Sequence, residues 1–284
     1  MRIRLIIWLA ACLAISILFF GELWPKLPQW LSPEGLQRHG VFHWGVLGLC
    51  ILWLGLKRKD ILPKMRTSRF SPLLVLTGVA LLALSIFLPR SDDFLVFLML
   101  LGWLGVFTII FSRACIIPSV LLAIYGFSLV FPILTTRWLG EPSAMLVVNT
   151  VTAITSILGL PVISEGLVLH FTSATGDVIK TTVSAACAGY ATIGVFIALF
   201  TLMMMDIRLP LRKAWWVFLF GLAGTWLQNI IRIVVSVAAG YYWGSDALEA
   251  MHYNISYVIF PLWYALFAYI YLRQAGWSKV SAKG

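Results

Sequence analysis

Four polar side chains in the final third of an apolar sequence are of types that do chemistry together. They are Cys187 in VSAACAGY, Asn229 and Arg232 in WLQNIIRIVVSVAAG, and His252 in EAMHYNISY. A thiolate attacks a carbonyl, and an imidazole takes the thiol proton and returns it to the leaving amine. A fixed cation or polar donor stabilises the oxyanion or positions the substrate chain. The set suits acyl transfer, with Cys187, Arg232 and His252 as candidate catalytic residues. Asn229 and Arg232 are three apart, so a helix puts them on one face. Ala185, Ala186, Ala188 and Gly189 are small enough to let a peptide backbone approach the sulfur.

The other reactive side chains have simpler readings. Cys12, Cys50 and Cys115 sit in apolar runs and read as small hydrophobes. His39 and His43 are four apart with no evident third ligand, and His170 sits in a polar stretch. No metal site and no cofactor is expected. Arg232 has a structural alternative, as a partner of Asp246 or Glu249.

The elements that must carry these residues are membrane helices. The chain is 61% hydrophobic and 11% charged, too apolar for a soluble protein of this size. Apolar runs near Leu5–Leu23, Val41–Leu56, Leu73–Leu88, Phe94–Phe111, Ile116–Leu134, Ala188–Met205, Ala214–Ala239 and Ile255–Leu272 predict about eight spans. The fold class is therefore an all-α polytopic membrane protein. Met1-Arg2-Ile3-Arg4 followed by an apolar run reads as the start of a first span rather than a cleaved leader.

A net charge of +10 could point to nucleic acid, but the basic residues sit in loops between spans, so no nucleic-acid partner is expected. With the N-terminus inside, fifteen basic residues fall on the inner side and five on the outer, with Arg232 left inside a span. That bias predicts both termini cytoplasmic. By helical rise, Arg232 lies roughly 27 Å from Ala214, and Cys187 and His252 roughly 30 Å above the inner ends of the sixth and eighth spans. All three then meet at the outer boundary of the membrane. An arginine within a span is costly unless it faces a polar cavity and has a role there.

Between the fifth and sixth spans lie two further elements. Ala144–Leu160 is uncharged, with Met145, Val148, Val151, Ile154 and Leu158 in a helical stripe and Asn149, Thr152, Thr155 and Ser156 between them. That predicts an amphipathic helix lying in the interface rather than a ninth span, which would put Arg208, Arg212 and Lys213 on the outer side against the charge rule. Gly166–Thr172 and Val178–Val183 predict a short extracytoplasmic β-hairpin around Ser173–Asp177. The organisation is a single membrane domain over 1–284. Residues 1–140 form a five-span region, 141–187 the amphipathic helix and hairpin, and 188–284 a three-span catalytic region.

Across about Thr150–Tyr271 the chain resembles the exosortase/archaeosortase family of integral-membrane cysteine transpeptidases. AACAGY is similar to the family's cysteine motif, commonly Ala-Cys-Ser-Gly. NIIRI resembles its Asn-x-x-Arg-Ile motif, the histidine of MHYNISY resembles the one that follows, and AITSILGLPV resembles the segment ahead of the cysteine. The resemblance implies a site facing outward from the cytoplasmic membrane. Its substrates would be membrane-anchored proteins whose C-terminal sorting tails carry a short signature, a transmembrane helix and a basic end. It implies Cys187 as nucleophile, Arg232 as a catalytic or oxyanion-stabilising cation and His252 as acid/base. Asn229, Gly189 and Ala188 would lie around them or contact substrate. Ala188 departs from the pattern, because serine is common there. Surrounding membrane lipid is the other expected partner.

Two readings from other classes stand beside this one. A transporter or channel would use Arg232 and His252 in an anion or proton path, but such a protein needs polar groups at mid-membrane and often shows repeats. A membrane acyltransferase acting on lipid or glycan would share the cysteine at the membrane edge.

Overall fold

The computed structural model describes residues 2–32, 41–67 and 70–276. His39 and the side chain of His43 lie outside the described residues. The chain divides into two compact units, Met1–Leu129 and Val130–Gly284.

The first unit is helical: α1 (Arg2–Phe19), α2 (Leu23–Trp30), α3 (Val41–Leu56), α4 (Arg58–Arg66), α5 (Pro72–Phe87), α6 (Leu95–Phe111) and the beginning of α7 (Ile116–Ile157). Its tightest contact pairs α5 with α6. A Cβ on Gly78 would stand 2.7 Å from the Gly105 carbonyl oxygen, and one on Gly105 2.8 Å from that of Gly78. Glycine lets the two backbones touch, the packing that lipid-embedded helices favour because van der Waals contact must replace the hydrophobic drive.

The second unit carries the rest of α7 and a three-stranded antiparallel sheet, β1 (Ile163–Glu165), β2 (Val168–Thr172) and β3 (Val178–Thr182). Four helices follow: α8 (Tyr190–Asp206), α9 (Leu211–Trp243), the short α10 (Ser245–Asn254) and α11 (Ser256–Gln274). Alternation along the strands buries Leu169, Phe171 and Ile179. They form one apolar core with Val147, Val148 and Val151 of α7 and Ile230, Ile233, Val234 and Val237 of α9. Elsewhere in the unit, Phe196 of α8 packs with Trp263, Phe267 and Tyr271 of α11. Gly221 and Gly224 of α9 make room for them, since a Cβ there would overlap the rings of Phe196 and Trp263.

Five helical stretches among the described residues are long and apolar enough to cross a membrane: Arg2–Phe19, Asp92–Ile157, Ala185–Asp206, Leu211–Trp243 and Ser245–Gln274. Trp44–Leu56 and Pro72–Phe87 are apolar but shorter. The sequence-based count of about eight spans is therefore not reproduced. The expected fourth and fifth spans and the expected interfacial helix fall in one stretch, broken only by a 3-10 turn at Ser112–Cys115.

Two local expectations are corrected. Ala144–Leu160 is not a separate helix, because α7 runs unbroken for 42 residues, roughly 63 Å at 1.5 Å per residue. Its apolar stripe is core packing: Val147, Val148, Val151 and even Thr155 are fully buried, while Met145 and Leu158 are exposed. The hairpin gains the strand β1, and Gly166, at φ +60, is not in a strand. With Glu165 opposite Val168, Gly166 and Leu167 form a two-residue hairpin loop whose first position demands positive φ.

Candidate active site

The cysteine turn is built by its neighbours. Beyond β3, Val183 donates its N–H to the Leu167 carbonyl at 2.8 Å, which ends the sheet. The chain then makes a 3-10 turn over Ala185–Ala188, with the Cys187 N–H on the Ser184 carbonyl at 2.8 Å. Gly189 follows at φ +88, the left-handed conformation that starts α8. A side chain there would be strained, and its Cβ would meet Asn229 Cγ at 3.0 Å.

That close approach lets Asn229 Nδ2 donate to the Cys187 carbonyl at 2.8 Å. On the other side of the turn, α7 closes in: Gly140 faces Ala185. The Tyr190 hydroxyl pairs with Ser143 and donates to the Leu139 carbonyl at 3.2 Å. The hairpin tip is tied as well, through the Ala174 N–H donated to the Tyr241 carbonyl of α9 at 2.7 Å. Sulfur position is thus fixed from α7, the sheet and α9.

Cys187 is half-buried, with Ser184 and Ala186 exposed beside it. Ser184 Oγ lies 3.6 Å from Cys187 Sγ, close enough for either to donate. Cys187 and His252 line the same cleft of about 30 Å³, with Leu169, Ile233, Ser236 and Leu248. Arg232, next to Ile233 on α9, is close enough for its charge to act on both the Cys187 sulfur and the His252 ring. Ser236 donates to the Arg232 carbonyl at 2.9 Å. Asn229 Oδ1 and Arg232 Nε are buried and have no hydrogen-bond partner among the described residues. Such groups are costly and rare in folded proteins unless a ligand or water meets them.

His252 reaches the cleft by a route the sequence does not announce. It sits on α10, which Gly244 (φ +88) turns back against α9 at the leading end of the Ser245–Gln274 stretch. Gly240 allows the approach, since a Cβ there would come within 3.0 Å of Leu248 Cβ. Asp246 and Glu249 are exposed, and among the described residues neither pairs with Arg232.

The structure therefore gathers Cys187, Asn229, Arg232, His252 and Gly189 in one place. Ala188 is also there, 2% exposed, so a serine hydroxyl at this position would need a buried partner. Sequence reasoning passed over Ser184 and Ser236. Ser184 stands in the stretch that drew attention to Cys187, three residues before it. Ser236 follows Arg232 by four, one turn along the same face.

The other candidates lie apart from this cluster. Cys12, Cys50 and Cys115 are buried, and Cys50 Sγ donates to the Leu121 carbonyl at 3.6 Å. His170 Nε2 lies 3.5 Å from Glu165 Oε2 across β1 and β2. Among the described residues no group of three or more His, Cys, Asp or Glu could hold a metal ion.

Residues 30–269 match a family model described as a transmembrane exosortase. No curated protein and no solved structure gives a significant match to the chain.

Proposed function

The chain belongs to the transmembrane exosortase family, and from that premise we propose that it is a membrane-embedded cysteine peptidase/transpeptidase that cleaves C-terminal sorting tails of exported proteins at the outer face of the cytoplasmic membrane. The observation that carries this reading is the shared cleft of Cys187 and His252 beside Arg232.

In this reading His252 takes the Cys187 thiol proton and the thiolate adds to the scissile carbonyl. The carbonyl electron pair moves to oxygen, where Arg232, whose Nε–H has no partner among the described residues, stabilises the charge. Collapse breaks the C–N bond, and His252 returns its proton to the departing amine of the tail. A thioester on Cys187 remains. An acceptor amine or water then adds to it with His252 as base, and the thiol is regenerated. Asn229 holds the Cys187 carbonyl, so it positions the sulfur rather than touching substrate through that bond. Substrate enters from the exposed side, past Ser184 and Ala186. A tail helix in the bilayer would present its cleavage site at that level, which accounts for a nucleophile on the turn that leads into α8.

The test is processing of a tail-bearing reporter in cells. Cys187→Ala abolishes processing, whereas the Cys12→Ala, Cys50→Ala and Cys115→Ala protein processes normally. A membrane-impermeant thiol reagent applied to spheroplasts stops processing by that triple variant. Processing by Cys187→Ala would remove the nucleophile from the mechanism. Insensitivity to the reagent until the membrane is permeabilised would reverse the orientation.

A further inference from the structure

The first unit contains an apolar groove of about 480 Å³, within the size range of small-molecule sites. Its walls come from matching halves of four helices. Leu5 and Trp8 are near the start of α1, Leu47 to Leu54 are in the second half of α3, Leu100 to Phe107 in the second half of α6, and Pro118 to Tyr125 near the start of α7. The α4 helix lies across one end and contributes Arg58, the charged residue of the lining.

Charge is distributed unequally between the two ends of these helices. The end marked by the start of α1, the end of α3, α4 and the turn between α6 and α7 carries Arg2, Arg4, Lys57, Arg58, Lys59, Lys64, Arg66 and Arg113, against Asp60 alone among the described residues. At the opposite end basic and acidic groups meet: Lys26 bonds Asp92 at 2.7 Å and Arg90 approaches Glu22 at 3.7 Å. An apolar slot lined by Arg58, with surplus positive charge on the elements at that end, matches an acyl chain attached to an anionic headgroup. Basic pockets between helices at the cytoplasmic face hold such headgroups.

We propose that this groove binds an anionic glycerophospholipid from the leaflet next to the basic end. One acyl chain lies along Trp8, Ile51, Trp103 and Leu121, and the phosphate sits at Arg58. The site is independent of the Cys187 cleft, so its test does not depend on processing.

The delipidated full-length protein in neutral detergent is exposed to phosphatidylglycerol or phosphatidylcholine of matched chains. Retained lipid is then counted by native mass spectrometry. Phosphatidylglycerol is expected to be retained in preference. Arg58→Gln lowers its retention about fivefold, the effect of one basic residue at a membrane surface, and leaves phosphatidylcholine unchanged. Ile51→Trp fills the groove from an exposed wall position; it lowers both lipids while the thermal midpoint in detergent stays put. Equal retention of the two lipids, or retention indifferent to both substitutions, overturns the proposal. So does displacement of bound lipid by a tail-helix peptide that cross-links at Ile51→Cys, since the occupant would then be a protein helix.

Discussion

The two units use their polar side chains differently. In the first, hydroxyls turn back on their own helices: Thr77 to the Leu73 carbonyl, Ser85 to Leu82 and Thr108 to Leu104. Its bonds between elements come from the indoles of Trp8, Trp24 and Trp103, the Cys50 thiol and the Lys26 ammonium. In the second unit hydroxyls such as those of Thr201, Thr225 and Ser236 also turn back on their own helices, but side chains around the cysteine turn and α11 bridge elements as well: Asn229 to the cysteine turn, Tyr190 to α7, Trp263 to Thr225, Tyr264 to the Thr192 carbonyl. It also leaves polar atoms of Asn229 and Arg232 unpartnered among the described residues. A hydroxyl that bonds its own helix makes the helix acceptable to lipid and fixes nothing else. A bond between elements fixes geometry, and an unpartnered buried donor is costly unless something else meets it. What sets the second unit apart is the cysteine turn, where a bond between elements from Asn229 and unpartnered buried atoms of Asn229 and Arg232 lie together.

The largest effect expected to separate the units is at Arg232. Arg232→Lys keeps the charge but replaces a rigid planar fork with a mobile ammonium. If the guanidinium directs a donor at the oxyanion, turnover of a tail-bearing substrate falls about 10²- to 10³-fold, with expression and thermal midpoint unchanged. Near wild-type turnover would reduce Arg232 to a source of positive field. Lysine for arginine at Arg113, in the turn between α6 and α7 of the first unit, leaves turnover as it was.

A second contrast uses glycines that are crowded in both units. Gly189→Ala strains a residue at φ +88 and pushes against Asn229; Gly78→Ala drives α5 and α6 apart against the Gly105 carbonyl. Both lower the thermal midpoint in detergent. Turnover per folded molecule falls about tenfold or more for Gly189→Ala, because a sulfur moved by an ångström loses attack geometry. For Gly78→Ala it stays within a factor of two (an order-of-magnitude expectation). Equal losses per folded molecule would mean that Gly189 serves packing alone.

What the sequence makes legible follows from the range of the physics involved. Helix α3 has the predicted limits, Val41–Leu56, because an apolar run bounded by Lys57 and Arg58 needs no tertiary information. The site residues stood out because a thiol, an amide and a guanidinium are conspicuous among leucines. The continuity of α7 was hidden. Pro132, Arg137, Glu141 and Pro142 all suggest an interruption, and proline removes a helical hydrogen bond. One residue from the Trp138 carbonyl that Pro142 leaves without its helical donor, the Leu139 carbonyl accepts from Tyr190, about fifty residues away, a contact that holds α7 at this point. The fold-back of α10 was hidden for the same reason. It depends on Gly244 and on Leu248 fitting against Gly240, contacts that a linear charge-and-hydropathy pattern does not contain.

The smallest contrast is between two serines. Ser184 is exposed and lies 3.6 Å from the Cys187 sulfur. Ser85 is fully buried and donates to its own helix at Leu82, 2.7 Å away. A neutral hydroxyl–sulfur bond is a modest interaction, and a typical hydrogen bond is worth about 1 kcal/mol net, or about fivefold in a rate that depends on it. Ser184→Ala is therefore expected to lower kcat for tail processing about two- to fivefold with KM unchanged, and Ser184→Thr, which keeps the hydroxyl, to restore it. Ser85→Ala removes a bond that positions nothing outside α5 and leaves both constants alone. A rise in KM without a fall in kcat would move Ser184 from the sulfur to substrate binding on the exposed side of the turn. No change in either constant would leave Asn229 and the α7 contacts as the groups that hold the Cys187 sulfur.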